Sequence, residues 1–312
     1  MPALRLLLPA LILSLTAGCG TLASASKYSM SCRHIEADMR WGALSGLAAD
    51  TTNEVVLYAV HDHNLPHPKI LVLDVSGHQA IISRSIPVLR NGSEPPYDLE
   101  GITRRGQGGF WLASEGKRGR GRPNLIIHTD ESGQVLEEIP LPPSVAQYRI
   151  KAGFEGIAST GTGDREQVVV VFQRSWKDDQ PGQVKIGQYW PARAQWRFYR
   201  YPLDRPKSNG LSAAVFLDDG TVAVLERDNK PLYKARTKAI YKISLPSSPD
   251  PKSAPPYPLL EKTRMMDILS SYSLACGTDG KLEGMALTPG EKLFLVADDD
   301  GKGHAMLLQV PK

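Results

Sequence analysis

Residues 98–103 read DLEGIT, residues 154–158 read FEGIA and residues 282–286 read LEGMA. Each places a Glu-Gly pair inside a short apolar run. Aligning the glycines adds LSGLA around Gly46 and NGLSA around Gly210, so the marked positions are Gly46, Gly101, Gly156, Gly210 and Gly284. The first three stand 55 residues apart, the next interval is 54 and the last is 74. A period near 50 points to a propeller or a repeat array, in which a unit that cannot bury its own apolar face stacks on its neighbours.

A second apolar run follows each motif: Val55–Val60, Phe110–Ala113, Val168–Phe172, Thr221–Leu225 and Leu293–Ala297. These runs are short, rich in β-branched and aromatic residues, and bounded by turn formers, as strands are. Third and fourth runs come next, as in Lys69–Val75, or in Leu125–Thr129 with Val135–Leu141. Asp74–Gly77, Asp130–Gly133 and Asp218–Gly220 carry turn chemistry between them. Four strands per repeat describe the blades of an all-β β-propeller. Five motifs give five blades; a sixth, degenerate blade within 234–275 is the alternative. The last motif leaves too few residues for a full blade, so Tyr28–Gly42 is expected to return as its outer strand and close the ring. The Pro/Ser-rich stretch 246–258 reads as an exposed excursion that cannot join a ladder. Residues 261–272 are expected to form one short helix.

The chain has 312 residues, 41% hydrophobic and 22% charged, with a net charge of +4. That is a globular composition without the concentrated basic face of a nucleic-acid binder. The one basic run, Lys117–Arg122, is either a solvated loop or an anion-contacting one. Arg5 followed by the apolar Leu6–Leu15 reads as a signal peptide. It ends in Leu15-Thr16-Ala17-Gly18-Cys19, which resembles a lipobox whose Cys19 is lipidated; cleavage after Ala23-Ser24-Ala25 is the alternative. Residues 1–19 are therefore the leader, 20–39 a linker and closing segment, and 40–312 one propeller domain. The expected location is the periplasm, lipid-anchored to the outer membrane because Gly20 is not Asp, or else soluble in the periplasm or secreted. The expected state is a monomer. In an oxidising compartment Cys32 and Cys276 suggest a disulfide between the two ends of the domain, against two unpaired thiols.

Blades converge at the channel, so a residue without a side chain there relieves crowding, which explains the repeated glycine. The glutamates raise a different question. Glu100, Glu155 and Glu283 occupy equivalent places in three blades, with Ser45 and Asn209 in the other two, so all are aimed at one channel mouth. Asp62, Glu115, Glu226 and Asp298 end the second strands on the same rim. An all-oxygen set of this kind suits Ca²⁺, or Mg²⁺, better than Zn²⁺. The alternative is structural hydrogen bonding from each carboxylate to the amides of the next blade. His61 and His63 lie nearby as solvated loop residues.

The EGI/EGM repeats, with LYAVHD and FWLASEG in the second strands, resemble the phytase-like family described as having esterase-like activity. The resemblance spans roughly residues 40–310. It implies a propeller whose acidic residues carry phosphoester or phosphodiester hydrolysis, and it places Glu100, Glu155 and Glu283 in the matching motifs, with Glu115 and Glu226 on the second strands. On that reading a cation is held by Glu100, Glu155, Glu283, Glu226 and Asp298, Glu115 or Asp62 is the general base, and Arg118, Arg120 or Arg122 grips an anionic substrate. The competing reading is a non-enzymatic binding or scaffold propeller with a structural ion. No G-x-S-x-G elbow, H-E-x-x-H, C-x-x-C or P-loop occurs in the sequence, so those chemistries are not expected.

Overall fold

The structure is a computed structural model that describes residues 30–62, 67–116, 122–230, 234–247, 255–269, 280–298 and 304–310. Its strands pair in sequence as antiparallel groups of four. The first is β2 (Leu44–Ala49), β3 (Val56–His61), β4 (Lys69–Asp74) and β5 (Ala80–Pro87). The second is β6 (Leu99–Arg104), β7 (Phe110–Ser114), β8 (Leu125–Thr129) and β9 (Val135–Pro140). The third is β10 (Phe154–Thr160), β11 (Gln167–Phe172), β12 (Gln183–Trp190) and β13 (Gln195–Pro202). The fourth is β14 (Asn209–Phe216), β15 (Val222–Asp228), β16 (Lys238–Ile243) and β17 (Lys262–Asp267). The last is β18 (Lys281–Leu287), β19 (Leu293–Asp298) and β20 (Met306–Val310), completed by β1 (Ser31–Glu36) from the other end of the chain.

The first strands β2, β6, β10, β14 and β18 touch in cyclic order, β18 returning to β2. This is a β-propeller, with its channel lined by those strands. β1 closes it: Cys32 pairs with Leu308, and a parallel bridge from Ile35 to Ala80 carries the last sheet into the first. Cys32 is disulfide-bonded; Cys276 and Cys19 lie outside the described residues.

Turn chemistry follows the sequence. Asp50, Asp74, Asp130 and Asp219 each accept the backbone N–H two residues on, from Thr52, Ser76, Ser132 and Thr221 at 2.8–3.0 Å, the Asx turn that closes a hairpin without costing a ladder bond. The apolar core is divided among the interfaces between neighbouring sheets. Leu99, Ile102 and Phe110 of the second sheet pack on Tyr58, Val60 and Val72 of the first. Phe154 and Phe172 of the third pack on Trp111 and Ile126 of the second. Strands buried on both faces explain the unbroken VVVVF and TVAVL runs.

Two expectations change. Lys262–Asp267, expected to open a helix, is β17, and pairs with β16 from Ile243↔Lys262 to Ala239↔Asp267. Edge demand of the sheet overrides the weak local preference, and of the described residues in 261–272 only 268–269 are helical. With β16 it completes the fourth sheet, so residues 238–243 and 262–267 are not strands of a further blade. The Pro-rich excursion also joins a ladder. Arg200 N–H donates to Pro258 O and Leu260 N–H to Arg200 O, both at 2.8 Å. Tyr257 and Leu260 are buried behind this bridge. β13 can accept it because it is the outer edge strand of the third sheet.

Candidate functional site

Every first strand breaks its ladder at the same place. Leu44 pairs with His61 and Gly46 with Val60, so Ser45 opposes nothing. The same β-bulge leaves out Glu100 between Leu99 and Gly101, Glu155 between Phe154 and Gly156, Ser212 between Leu211 and Ala213, and Glu283 between Leu282 and Gly284. A bulge turns the extra residue out of the ladder and bends the strand. The glycine beside it is required by close approach. A Cβ on Gly101 would stand 2.9 Å from Glu155 O, and one on Gly156 2.6 Å from Ala213 Cα.

This corrects the fourth repeat. Its equivalent positions are Ser212 and Ala213, not Asn209 and Gly210. Gly210 imitates the motif because it also lies close to a neighbour, 2.5 Å from Gln173 O for a Cβ. The bulge ring is therefore Ser45, Glu100, Glu155, Ser212 and Glu283. The shift carries to the second strand: Leu211 pairs with Glu226, so the counterpart of Asp62, Glu115 and Asp298 is Arg227.

Glu226 does not belong to the mouth. It is fully buried and accepts hydrogen bonds from Tyr201 Oη (3.0 Å), Asp204 N–H (2.8 Å), Asn209 Nδ2 (2.6 Å) and Lys262 Nζ (2.6 Å). Every acceptor position is spent on joining the third and fourth sheets. Asp298 is buried and accepts Leu44 N–H at 3.0 Å, joining the last sheet to the first. Glu115 accepts Gly153 N–H at 3.0 Å. The structural hydrogen bonding considered from sequence describes these carboxylates.

The mouth brings together Asp98, Glu100 and Glu115, each offering an oxygen within 4.8 Å of the others. The residues fit a hard divalent cation, since all donors are carboxylate oxygens. Burial pushes the Glu100 carboxyl well above its ordinary value, and Glu155, Glu115, Asp98 and Glu283 push in the same direction. Burial also raises Glu155, helped by Glu283 and Glu115 and opposed by Arg227 and Arg174. Asp98 was missed in sequence although it opens DLEGIT; its signal was the i, i+2 spacing to Glu100, which a bulge converts into proximity.

The far side of the mouth is cationic. Arg227 is buried, donates through Nε to Leu282 O at 2.7 Å, and forms an ion pair with Glu283. Burial lowers its pKa, yet Glu283 and Glu155 more than offset that, and the net direction is up. Arg174 donates to the carbonyls of Ser208 and Asn209 at 2.9 and 2.7 Å. Lys238, fully buried, has no partner for Nζ among the described residues, and burial and Arg227 push it down to about 8.

The remaining sequence candidates are dispersed. Asp62 is half-buried one residue beyond β3, its carbonyl 2.8 Å from His61 Nδ1, and His61 is buried rather than solvated. Arg122 lines a separate cleft with Arg90, Tyr97 and Glu138. Arg118, Arg120 and His63 lie outside the described residues.

A family model described as phytase-like, esterase-like activity of phytase, matches residues 39–301. The chain belongs to the phytase-like family. Among curated proteins, none matches it. Solved structures match in fold. A candidate glycosidase from Bacteroides thetaiotaomicron aligns at TM-score 0.50 and 11% identity, over 86% of each chain. A candidate glycoside hydrolase from Parabacteroides distasonis aligns at 0.49 and 10%, over 87% of each. A Thermus thermophilus protein described as an oxidoreductase (glucose dehydrogenase) aligns at 0.44 and 14%, over 88% of this chain and 84% of that one. At such identities the likeness is one of architecture alone.

Proposed function

We propose that this phytase-like propeller holds a divalent cation, Ca²⁺ before Mg²⁺, at Asp98, Glu100 and Glu115, and hydrolyses phosphoesters at that mouth. The observation that carries the reading is the convergence of three carboxylate oxygens within 4.8 Å, beside Glu155, whose pKa burial raises. When bound, the cation supplies Lewis acidity toward a phosphoryl oxygen and lowers the pKa of water. Glu155 is suited to give its proton to a leaving oxygen. Arg174 and Arg227 stand behind it as positive charge for the phosphoryl oxygens. Glu115 is fixed by Gly153 N–H at 3.0 Å, which suits a ligand better than a mobile base. The leader-like segment and the disulfide at Cys32 support action outside the cytoplasm, with Cys19 as the lipid anchor.

The test is hydrolysis of p-nitrophenyl phosphate and of bis-p-nitrophenyl phosphate by the mature chain, with added Ca²⁺ and with chelator. Turnover that requires Ca²⁺ and is lost in Glu155→Gln is expected. No turnover of either ester in either condition overturns catalysis. A second reading, a binding propeller with a structural ion, is favoured by Glu115 and Asp298 acting as inter-sheet acceptors. It expects the cation to raise the melting temperature with no activity to lose.

A further inference from the structure

A strongly charged cleft lies between the β13–β14 connection, which joins the third sheet to the fourth, and the β15–β16 connection of the fourth sheet. Arg205, Lys207, Lys230, Lys234 and Arg236 line it, with Asp228 as its carboxylate. The volume is about 800 Å³, enough for a small-molecule ligand.

Several cations elsewhere in the molecule are neutralised by contact. Lys185 meets Asp178 and Asp179, Lys262 meets Asp204 and Glu226, and Arg105 meets Glu166. In the cleft, the Arg205, Lys207, Lys230 and Arg236 side chains form no ion pair among the described residues. Asp228 does not neutralise them by contact. It is buried, and its carboxylate accepts the backbone N–H groups of Lys230 (3.2 Å), Arg236 (2.6 Å) and Thr237 (3.3 Å). That clamp ties both ends of the β15–β16 connection to one point. The opposite wall is also anchored. Ser208 and Asn209 N–H donate to Arg205 O at 3.1 and 2.9 Å, while Arg174 holds the carbonyls of the same two residues. Positive charges gathered around one cleft on an anchored backbone give a field that attracts an anion.

We propose that this cleft is a binding site for a small oxyanion with two or more negative charges, of the phosphate-ester or oligophosphate class. Arg205 and Arg236 supply guanidinium forks that match such oxygens two at a time, and the lysines add point charge. The site stands whether or not the mouth holds a cation, because it shares no side chain with Asp98, Glu100 and Glu115.

The experiment is calorimetric titration of the mature full-length chain with inorganic pyrophosphate after removal of metal, at low and at moderate salt. One saturable site per chain, weakened by salt, is expected. Arg205→Ala/Arg236→Ala should weaken binding at least tenfold at an unchanged melting temperature, with Arg205→Ala alone weakening it severalfold. Glu155→Gln should bind as the parent does. No saturable binding overturns the proposal, as does equal binding by both arginine variants. Loss of binding in Glu155→Gln alone would move the anion to the mouth and overturn it as well.

Discussion

Replacing Glu100 by Gln separates a cation site from a structural hydrogen bond by the sign of its effect. The ligand oxygens of Asp98, Glu100 and Glu115 lie within 4.8 Å of one another. Two unit charges at that distance repel by about 3.5 kcal/mol at an effective dielectric of 20, and by about 0.9 kcal/mol in bulk water. Without metal, burial and the carboxylate neighbours raise the Glu100 pKa, and taking up a proton there is the route by which the folded chain lessens this cost. Keeping a carboxyl of ordinary value 4.5 neutral at pH 7 costs at most about 3.4 kcal/mol, at roughly 1.36 per unit. Glu100→Gln removes that cost, so in chelator the variant should melt higher by about 2 °C per kcal/mol recovered, a few degrees in all. The sign also fixes the pH dependence. A carboxyl raised in the folded state binds more protons folded than unfolded, so stability is highest in acid and falls as pH rises from about 4.5 through the folded pKa. Ca²⁺ should reverse the ranking at about a thousand times its Kd, where it adds about 4.1 kcal/mol to the parent and little to the variant. Scanning calorimetry of both proteins across pH, in Ca²⁺ and in chelator, reads all of this. A variant that melts lower than the parent by the same margin in both buffers refutes the reasoning and leaves Glu100 a structural acceptor.

Glu226→Ala should destabilise the fold by about 3–5 kcal/mol in denaturant titration, because it strands three buried donors and takes from Lys262 its buried partner, leaving only the more exposed Asp204; a loss below about 1 kcal/mol would place Glu226 outside the inter-sheet network. Gly156→Ala puts a methyl 2.6 Å from Ala213 Cα and should cost about 1–3 kcal/mol by overpacking, while Gly92→Ala, with nothing within 4 Å but a φ of +75°, should cost only the left-handed penalty of about 1–2 kcal/mol. Cys32→Ser removes the disulfide from the strand that closes the ring and should lower stability by about 2–5 kcal/mol; an unchanged midpoint would mean that β1 is held by its ladder alone.

Class and repeat were legible in the residues themselves. Turn formers bounding short β-branched runs at a steady period allow little besides a propeller, and LEGIT and its copies marked the channel because only glycine tolerates backbone at 2.6–2.9 Å. The return of the N-terminal segment followed from a last repeat too short to finish its sheet. What the residues did not show is which position each first strand ejects from its ladder. Gly210 satisfied the pattern, yet the bulge falls at Ser212, since pairing with β15 and contact with β10 and β18 choose the register. That shift replaced Glu226 by Arg227 on the rim and gave an expected acidic ring a cationic side. The basic cleft escaped for the same reason. Arg205 and Arg236 are 31 residues apart in the chain, and the β13–β14 and β15–β16 connections bring them to opposite walls of one cleft. Local patterning encodes strands and turns; proximity between side chains of different strands is created only when the sheets pair and pack.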